Sequence, residues 1–278
     1  IGSGLVGSEM CIRDRSTDLA CVRQAETVVI SIGSPGPQGL MDQLKPLSLR
    51  DRIFVLCMKG LEQGTGRRLS QIAEENLDPS NAVAVWLGPG HVQEFYRGIP
   101  NCMVIDSRRE DVKRRLVQSF SSDLIRFYYG DDLIGNEVGA AAKNVVGIAA
   151  GFLDGKGLSS LKGALMSRGT REVARLIQAM GGSQLSAYGL CHLGDYEATV
   201  FSRYSHNRQF GESFVRGQDY HQLAEGYYTV KALMLLGQRY GVELPICQAV
   251  HRVLYCGADP MQELRALLDR NLTREFGE

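Results

Sequence analysis

The stretch Gly135–Gly155, GNEVGAAAKNVVGIAAGFLDG, constrains the rest of the chain most strongly. It reads as one long helix, with Asp131 and Asp132 placed just upstream to cap it. Apolar side chains run round nearly its whole circumference, the pattern of a helix buried among other helices. One cation, Lys143, sits in its middle. Its neighbours at i±4 are Gly139 and Gly147, and at i±3 Ala140 and Val146. No carboxylate on this helix is placed to pair with it. A buried ammonium must be neutralised, paired from elsewhere in the fold, or opened to a cleft. Gly135, Gly139, Gly147 and Gly151 leave one side of the helix nearly bare, at a cost of roughly 0.5–1 kcal/mol each relative to Ala. Two readings follow. Either something approaches the backbone beside Lys143, or helices pack tightly here and the lysine snorkels.

The flanking sequence divides in two. Val28–Gly33, Ile53–Met58, Ala82–Leu87, Cys102–Asp106 and Leu124–Tyr128 are short apolar runs that read as buried strands. Between them lie helical segments at Asp18–Glu26, Gly39–Leu47, Arg67–Asn76 and Glu110–Ser119. Strands alternating with helices predict an open, largely parallel sheet covered on both faces. Ligands of such sheets sit beyond the carboxyl ends of the strands. Gly33-Ser34, Lys59-Gly60 and Gly88-Pro89-Gly90 all fall at such ends. Each alone reads as an ordinary turn; together, one bearing a lysine, they suggest a rim for an anionic ligand. After about Tyr129 the pattern is helical only, at Gly135–Gly155, Ser159–Met180, Ala224–Tyr240, Ile246–Cys256 and Pro260–Leu268. The domain boundary falls in a turn near Gly130–Asp132, and a cleft is expected between the two halves.

Composition excludes several function classes. Lys and Arg total 31 against 31 Asp and Glu, so nothing argues generally for a nucleic acid or an anionic membrane surface. The longest apolar run, around Asn144–Leu153, is too short to span a bilayer. The seven cysteines are scattered, and no CxxC or HxxxH spacing occurs, so no metal site is expected. Reduced thiols in a cytoplasmic protein are the expectation.

Four pieces carry chemistry: Lys59, Lys143, Asp195 after Leu193-Gly194, and Ser205-His206-Asn207-Arg208. Asp195 is a candidate counter-charge for Lys143, or else a helix N-cap. A lysine neutral through burial can take a proton near neutral pH. Ser205–Arg208 reads equally as a solvated turn.

These segments resemble bacterial-type NAD(P)-dependent sn-glycerol-3-phosphate dehydrogenase. The resemblance rests on KGLE (Lys59–Glu62), Gly88-Pro89, AAAKNVVGIAAGFLDG (Ala140–Gly155), SRG (Ser167–Gly169) and GLCHLGD (Gly189–Asp195). It continues through SHNRQFG (Ser205–Gly211), AEGYYTVK (Ala224–Lys231), GVELPI (Gly241–Ile246) and VLYCG (Val253–Gly257), in the family's order. It implies an α/β Rossmann-type domain over residues 16–130. An all-α substrate domain of the 6-phosphogluconate-dehydrogenase-like type follows over residues 131–278. It implies interconversion of dihydroxyacetone phosphate and sn-glycerol 3-phosphate with NAD or NADP, in glycerophospholipid synthesis, by a homodimer. Carried over by position, Lys143 is the general acid/base. Lys59, Gly88, Gly90, Asp195, Ser205, His206 and Asn207 line the substrate with it. Lys59, Val92, His206, Leu223 and Glu225 contact the cofactor.

The chain also departs from that pattern. His206 stands where the family has Arg, with Arg208 as a candidate substitute; Gly90 replaces a Ser or Thr, and Val92 a small residue. Gly2, Gly4 and Gly7 satisfy G-x-G-x-x-G, but only Ile1 precedes them and no apolar stripe follows. The segment GLVGSEMCIRDR resembles translated sequencing-adapter read-through. Residues 1–15 are therefore expected to be foreign and outside the sheet, with the opening βαβ unit and its pyrophosphate-binding glycines missing. On that expectation the chain as given binds nicotinamide weakly and is inactive. A related lysine-dependent hydroxy-acid dehydrogenase and a non-catalytic dimeric homologue are the competing readings.

Overall fold

The computed structural model describes residues 16–33, 36–271 and 275, so the expectation for residues 1–15 lies outside the described residues. The five apolar runs form one sheet of strands β1 (Thr27–Ile30), β2 (Ile53–Leu56), β3 (Ala82–Leu87), β4 (Asn101–Ser107) and β5 (Ile125–Tyr129), in that spatial order. Every residue of β2 is buried, because alternate side chains enter different cores. Phe54 and Leu56 pack with Met41, Leu44 and Ile72, from helices α1 (Pro37–Leu44) and α2 (Leu69–Asn76). Ile53 and Val55 pack on the other face with Val112 and Leu116, from α4 (Glu110–Phe120). This is the sheet covered on both sides that continuous apolar strands require.

One pairing differs from the uniform alternation read in the sequence. β1–β2, β2–β3 and β4–β5 are parallel, but β3 and β4 run antiparallel, with Val85 opposite Asp106. The β3–β4 connection contains only the one-turn helix α3 (Val92–Phe95). A parallel crossover needs a longer return path, usually a full helix, so the chain doubles back instead. The segment at Asp18–Glu26 is a 3-10 turn, Leu19–Gln24, rather than a longer helix.

Helix α5 (Leu133–Gly155) is the longest described element and the axis of the second half. It is buried continuously from Gly135 to Ile148. Asp132 caps it: its carboxylate accepts from Gly135 N, Ser183 N and the Ser186 hydroxyl. Around α5 pack α6 (Lys162–Ala179), α7 (His206–Val215), α8 (Glu225–Tyr240) and α9 (Pro245–Tyr255). Val138, Val145, Ile148, Leu176, Leu233 and Val250 share one core there. The last helix, α10 (Pro260–Leu268), buries none of its residues. The architecture is thus a Rossmann-like, mostly parallel sheet followed by an all-helical half. Among the described residues no helix is long and apolar enough to cross a membrane.

The bare side of α5 is filled by the protein itself. A Cβ at Gly135 would strike Ser186, at Gly139 His192, at Gly147 Thr199, and at Gly151 the carbonyl of Arg208. Gly211 of α7 faces the same strip of α5, where a Cβ would lie 2.2 Å from the Ile148 carbonyl oxygen and 3.2 Å from Gly151 Cα. The glycines therefore serve close packing of α7 and the Gly189–Phe201 segment on α5. The Ser205–Arg208 stretch begins α7 rather than forming a solvated turn, and Ser205 is its N-cap.

Candidate active site

Lys143 does not snorkel. It is 7 % exposed, and its ammonium lies 2.9 Å from Asp195 Oδ2. The Thr199 hydroxyl accepts a second bond at 2.8 Å. That hydroxyl in turn donates to the Asp195 carbonyl at 2.7 Å, which fixes its lone pairs toward the lysine. Asp195 is fully buried at the end of a 3-10 turn, Leu193–Asp195. A π-helical turn, Glu197–Phe201, follows and brings Thr199 alongside.

The same oxygen of Asp195 also receives Lys59, at 2.7 Å. Lys59 stands just past the carboxyl end of β2 and donates to the Gly88 carbonyl, at the end of β3, over 2.5 Å. Two ammoniums thus share one carboxylate oxygen where the two halves of the molecule meet. The second oxygen, Asp195 Oδ1, is buried with no hydrogen-bond partner among the described residues. A buried acceptor left unpaired costs about 1–3 kcal/mol.

The electrostatics lower the pKa of the central amine toward neutral pH while leaving it charged at pH 7. Burial pushes the Lys143 pKa down from 10.5 to about 8; Asp195 opposes this, Lys59 reinforces it, and Glu225 at the start of α8 opposes it. Burial also drives His91 down; its Nε2 donates to the Ala198 carbonyl and ties the Gly88-Pro89-Gly90 turn to the Thr199 segment.

The remaining sequence candidates divide. Asn207 takes part indirectly: its amide donates to Asn144 Oδ1, and Asn144 donates to the Lys59 carbonyl. Its own oxygen accepts from Gly226 N. The Ser205 hydroxyl accepts from Arg208 N, and His206 Nδ1 lies 2.8 Å from the Tyr220 hydroxyl. Arg208, the candidate substitute for an arginine at 206, is turned toward acidic side chains. Its guanidinium is held by Asp154 at 2.8 Å and Glu212 at 3.0 Å. Gly90 has φ 143°, and a Cβ there would lie 2.8 Å from the Phe95 ring, so a serine would be strained in its backbone and would require that ring to shift. Val92 and Leu223 are exposed apolar side chains, 65 % and 47 % accessible. Thr199 is a site residue that the sequence does not single out. Its signal is its place four residues after Asp195, one helical turn on.

The donor set suits a nicotinamide-dependent alcohol–carbonyl interconversion. Asp195 Oδ1 calls for a donor that an alcohol hydroxyl or a nicotinamide carboxamide carries. The site has a net positive charge for an anionic substrate and an amine that titrates near neutrality.

Comparison with known proteins decides the family. The profile of the NAD-dependent glycerol-3-phosphate dehydrogenase N-terminus matches residues 12–113, and that of its C-terminus residues 132–265. The chain belongs to the NAD-dependent glycerol-3-phosphate dehydrogenase family. Within it, the glycerol-3-phosphate dehydrogenase [NAD(P)+] of Thermotoga sp. (strain RQ2) is 35 % identical over 269 residues, covering 94 % of this chain and 81 % of the relative. A Thermus thermophilus protein of the same name is 39 % identical over 258 residues, covering 90 % and 78 %. The crystal structure of glycerol-3-phosphate dehydrogenase from Coxiella burnetii superposes with a TM-score of 0.84 at 29 % identity, covering 91 % of this chain and 80 % of that one.

Proposed function

We propose that this dehydrogenase interconverts dihydroxyacetone phosphate and sn-glycerol 3-phosphate with NAD or NADP, and that Lys143 is its general acid/base. The observation that carries the role is one buried amine, with pKa about 8, seated 2.9 Å from the carboxylate it shares with Lys59. Hydride exchange at C2 is the chemistry a bound nicotinamide supplies. In alcohol oxidation neutral Lys143 takes the C2 hydroxyl proton; in ketone reduction its ammonium polarises the oxygen and returns that proton. Asp195 keeps the amine oriented and leaves Oδ1 to accept from the substrate. Lys59 adds the charge that favours an anionic, phosphorylated substrate over a neutral one. Ser205, His206 and Asn207 are proposed to line the substrate with Gly88 and Gly90. Lys59, Val92, His206, Leu223 and Glu225 are proposed to hold the cofactor. The reaction is assigned to glycerophospholipid precursor supply in the cytoplasm, in keeping with the six free cysteines of the described residues.

The test is a substrate screen on the purified protein. NAD(P)-linked oxidation of sn-glycerol 3-phosphate is expected, with kcat/KM at least about 10²-fold above that for glycerol. A preference for 2-hydroxy acids would assign it to a related lysine-dependent dehydrogenase. Absence of turnover on every alcohol would favour the non-catalytic binding role.

Two copies are proposed to pair through the open groove between α6, α9 and α10. It encloses about 1380 Å³ and is floored by Leu161, Leu165, Val253, Met261 and Leu264. Leu268 of α10 is 67 % exposed on its rim. Arg168, Arg171 and Arg270 share the groove with Glu243, Glu263 and Asp269. Charges of both signs on one patch are what a two-fold, self-complementary contact needs. Sedimentation at micromolar concentration should show a dimer, and Leu264→Glu with Leu268→Glu a folded monomer. A wild-type monomer would refute this contact.

A further inference from the structure

His192 takes no part in the proton transfer proposed above, yet it is wholly buried beside it. Its Nδ1 lies 2.8 Å from the Gly139 carbonyl oxygen of α5, and its Nε2 2.8 Å from the Tyr196 hydroxyl. A carbonyl oxygen only accepts, so Nδ1 carries the proton. Burial pushes the ring down to about 4, so it is neutral at pH 7 and Nε2 accepts from Tyr196. Both ring nitrogens are therefore committed. Gly139 stands one helical turn before Lys143, and His192 three residues before Asp195. The bond joins the two segments that carry the two halves of the ion pair. The seat is close: a Cβ on Gly139 would lie 3.0 Å from His192 Cβ.

We propose that His192 is a positioning residue that staples the Gly189–Asp195 turn to α5 and so holds Asp195 against Lys143 and Lys59. Its catalytic consequence rests on the acid/base reading of Lys143; its test does not. The charged and titratable groups acting on Lys143 come from several elements. Asp195 follows the stapled turn, Lys59 follows β2, and Glu225 opens α8. The rings of His91 and His192 also lie in its field. Asp195 is the largest of those that favour the ammonium, and Lys59 opposes it. Loosening the turn weakens the Asp195 contribution and leaves burial and Lys59 in place. The Lys143 pKa then falls.

The experiment is trace labelling of Lys143 by acetic anhydride across pH, quantified by mass spectrometry, with neither substrate nor cofactor added. The wild-type amine should titrate near 8. In His192→Leu it should titrate about one pH unit lower. In His192→Asn, whose amide nitrogen can donate to the Gly139 carbonyl as Nδ1 does, it should stay within about 0.3 of the wild type. Gly139→Ala, which crowds His192 without altering its chemistry, should lower it by a few tenths and decides the matter if His192→Leu does not fold. A folded His192→Leu or Gly139→Ala with an unmoved Lys143 titration would overturn the staple. So would a fall in His192→Asn as large as in His192→Leu. None of these readings depends on turnover, so they stand apart from the acid/base assignment.

Discussion

Lys143→Met is expected to lower kcat by about 10²–10⁴-fold, the contribution of a positioned acid–base group, while the protein stays folded. Methionine keeps the length and apolar stem of lysine in a site only 7 % exposed. It removes the one amine of the cluster that burial brings to about 8. The fold should not suffer, because Asp195 retains Lys59 at 2.7 Å. The gap between 8 and the ordinary 10.5 corresponds to about 3 kcal/mol spent on keeping Lys143 charged in the folded state. The folded-state pKa is the lower one, so between pH 8 and 10.5 the unfolded chain binds more protons. Wild-type stability from this group therefore rises with pH across that window, and the full cost is present below it. Lys143→Met removes that cost. Its melting temperature at pH 7 should be at or above that of the wild type, with the difference shrinking from pH 8 upward. Steady-state kinetics and calorimetry on the same preparation check both halves. Near-normal turnover would move the acid/base role to another group.

Asp195→Asn should be the most destabilising single change in the site, by about 3–5 kcal/mol, the usual cost of removing one partner of a buried ion pair. Asparagine preserves the shape and one acceptor but leaves two ammoniums facing each other without a counter-ion. Asp195 is fully buried, so solvent cannot replace the lost charge. Lys143 can escape by losing its proton, since its pKa is already depressed. The loss should accordingly be larger at pH 6 than at pH 9. Chemical denaturation at the two pH values measures the difference. An equal and small loss at both would mean that the carboxylate is not what stabilises the paired lysines.

Much of this arrangement is legible along the chain because it depends on local pattern. Gly135–Gly155 declares a buried helix through its unbroken apolar circumference. The runs Ile53–Met58 and Ala82–Leu87 declare doubly covered strands through length and lack of polar alternation. A lysine with no local partner on such a helix demands a carboxylate from outside, and Asp195 in a glycine-rich turn is a visible candidate. The order of the short motifs makes the family recognisable, because family membership is written in residues rather than in contacts.

Other features are decided only in three dimensions. The antiparallel β3–β4 pair follows from the connection, which carries only one turn of helix, and not from the apolar runs of the two strands. α7 is hidden in the sequence because its short, mostly polar stretch is held helical by packing of Gly211 on Gly151. The glycines of α5 announce a close approach but not by what; the answer, His192, Thr199, Asn207 and Arg208, lies more than 50 residues away. The same distance hides Thr199 and the staple by His192, whose roles are contacts with α5. That Lys59 and Lys143 meet on one oxygen of Asp195 is also a tertiary fact. Sequence supplies each charge, but burial and separation set their energies, and both exist only once the two halves close on α5.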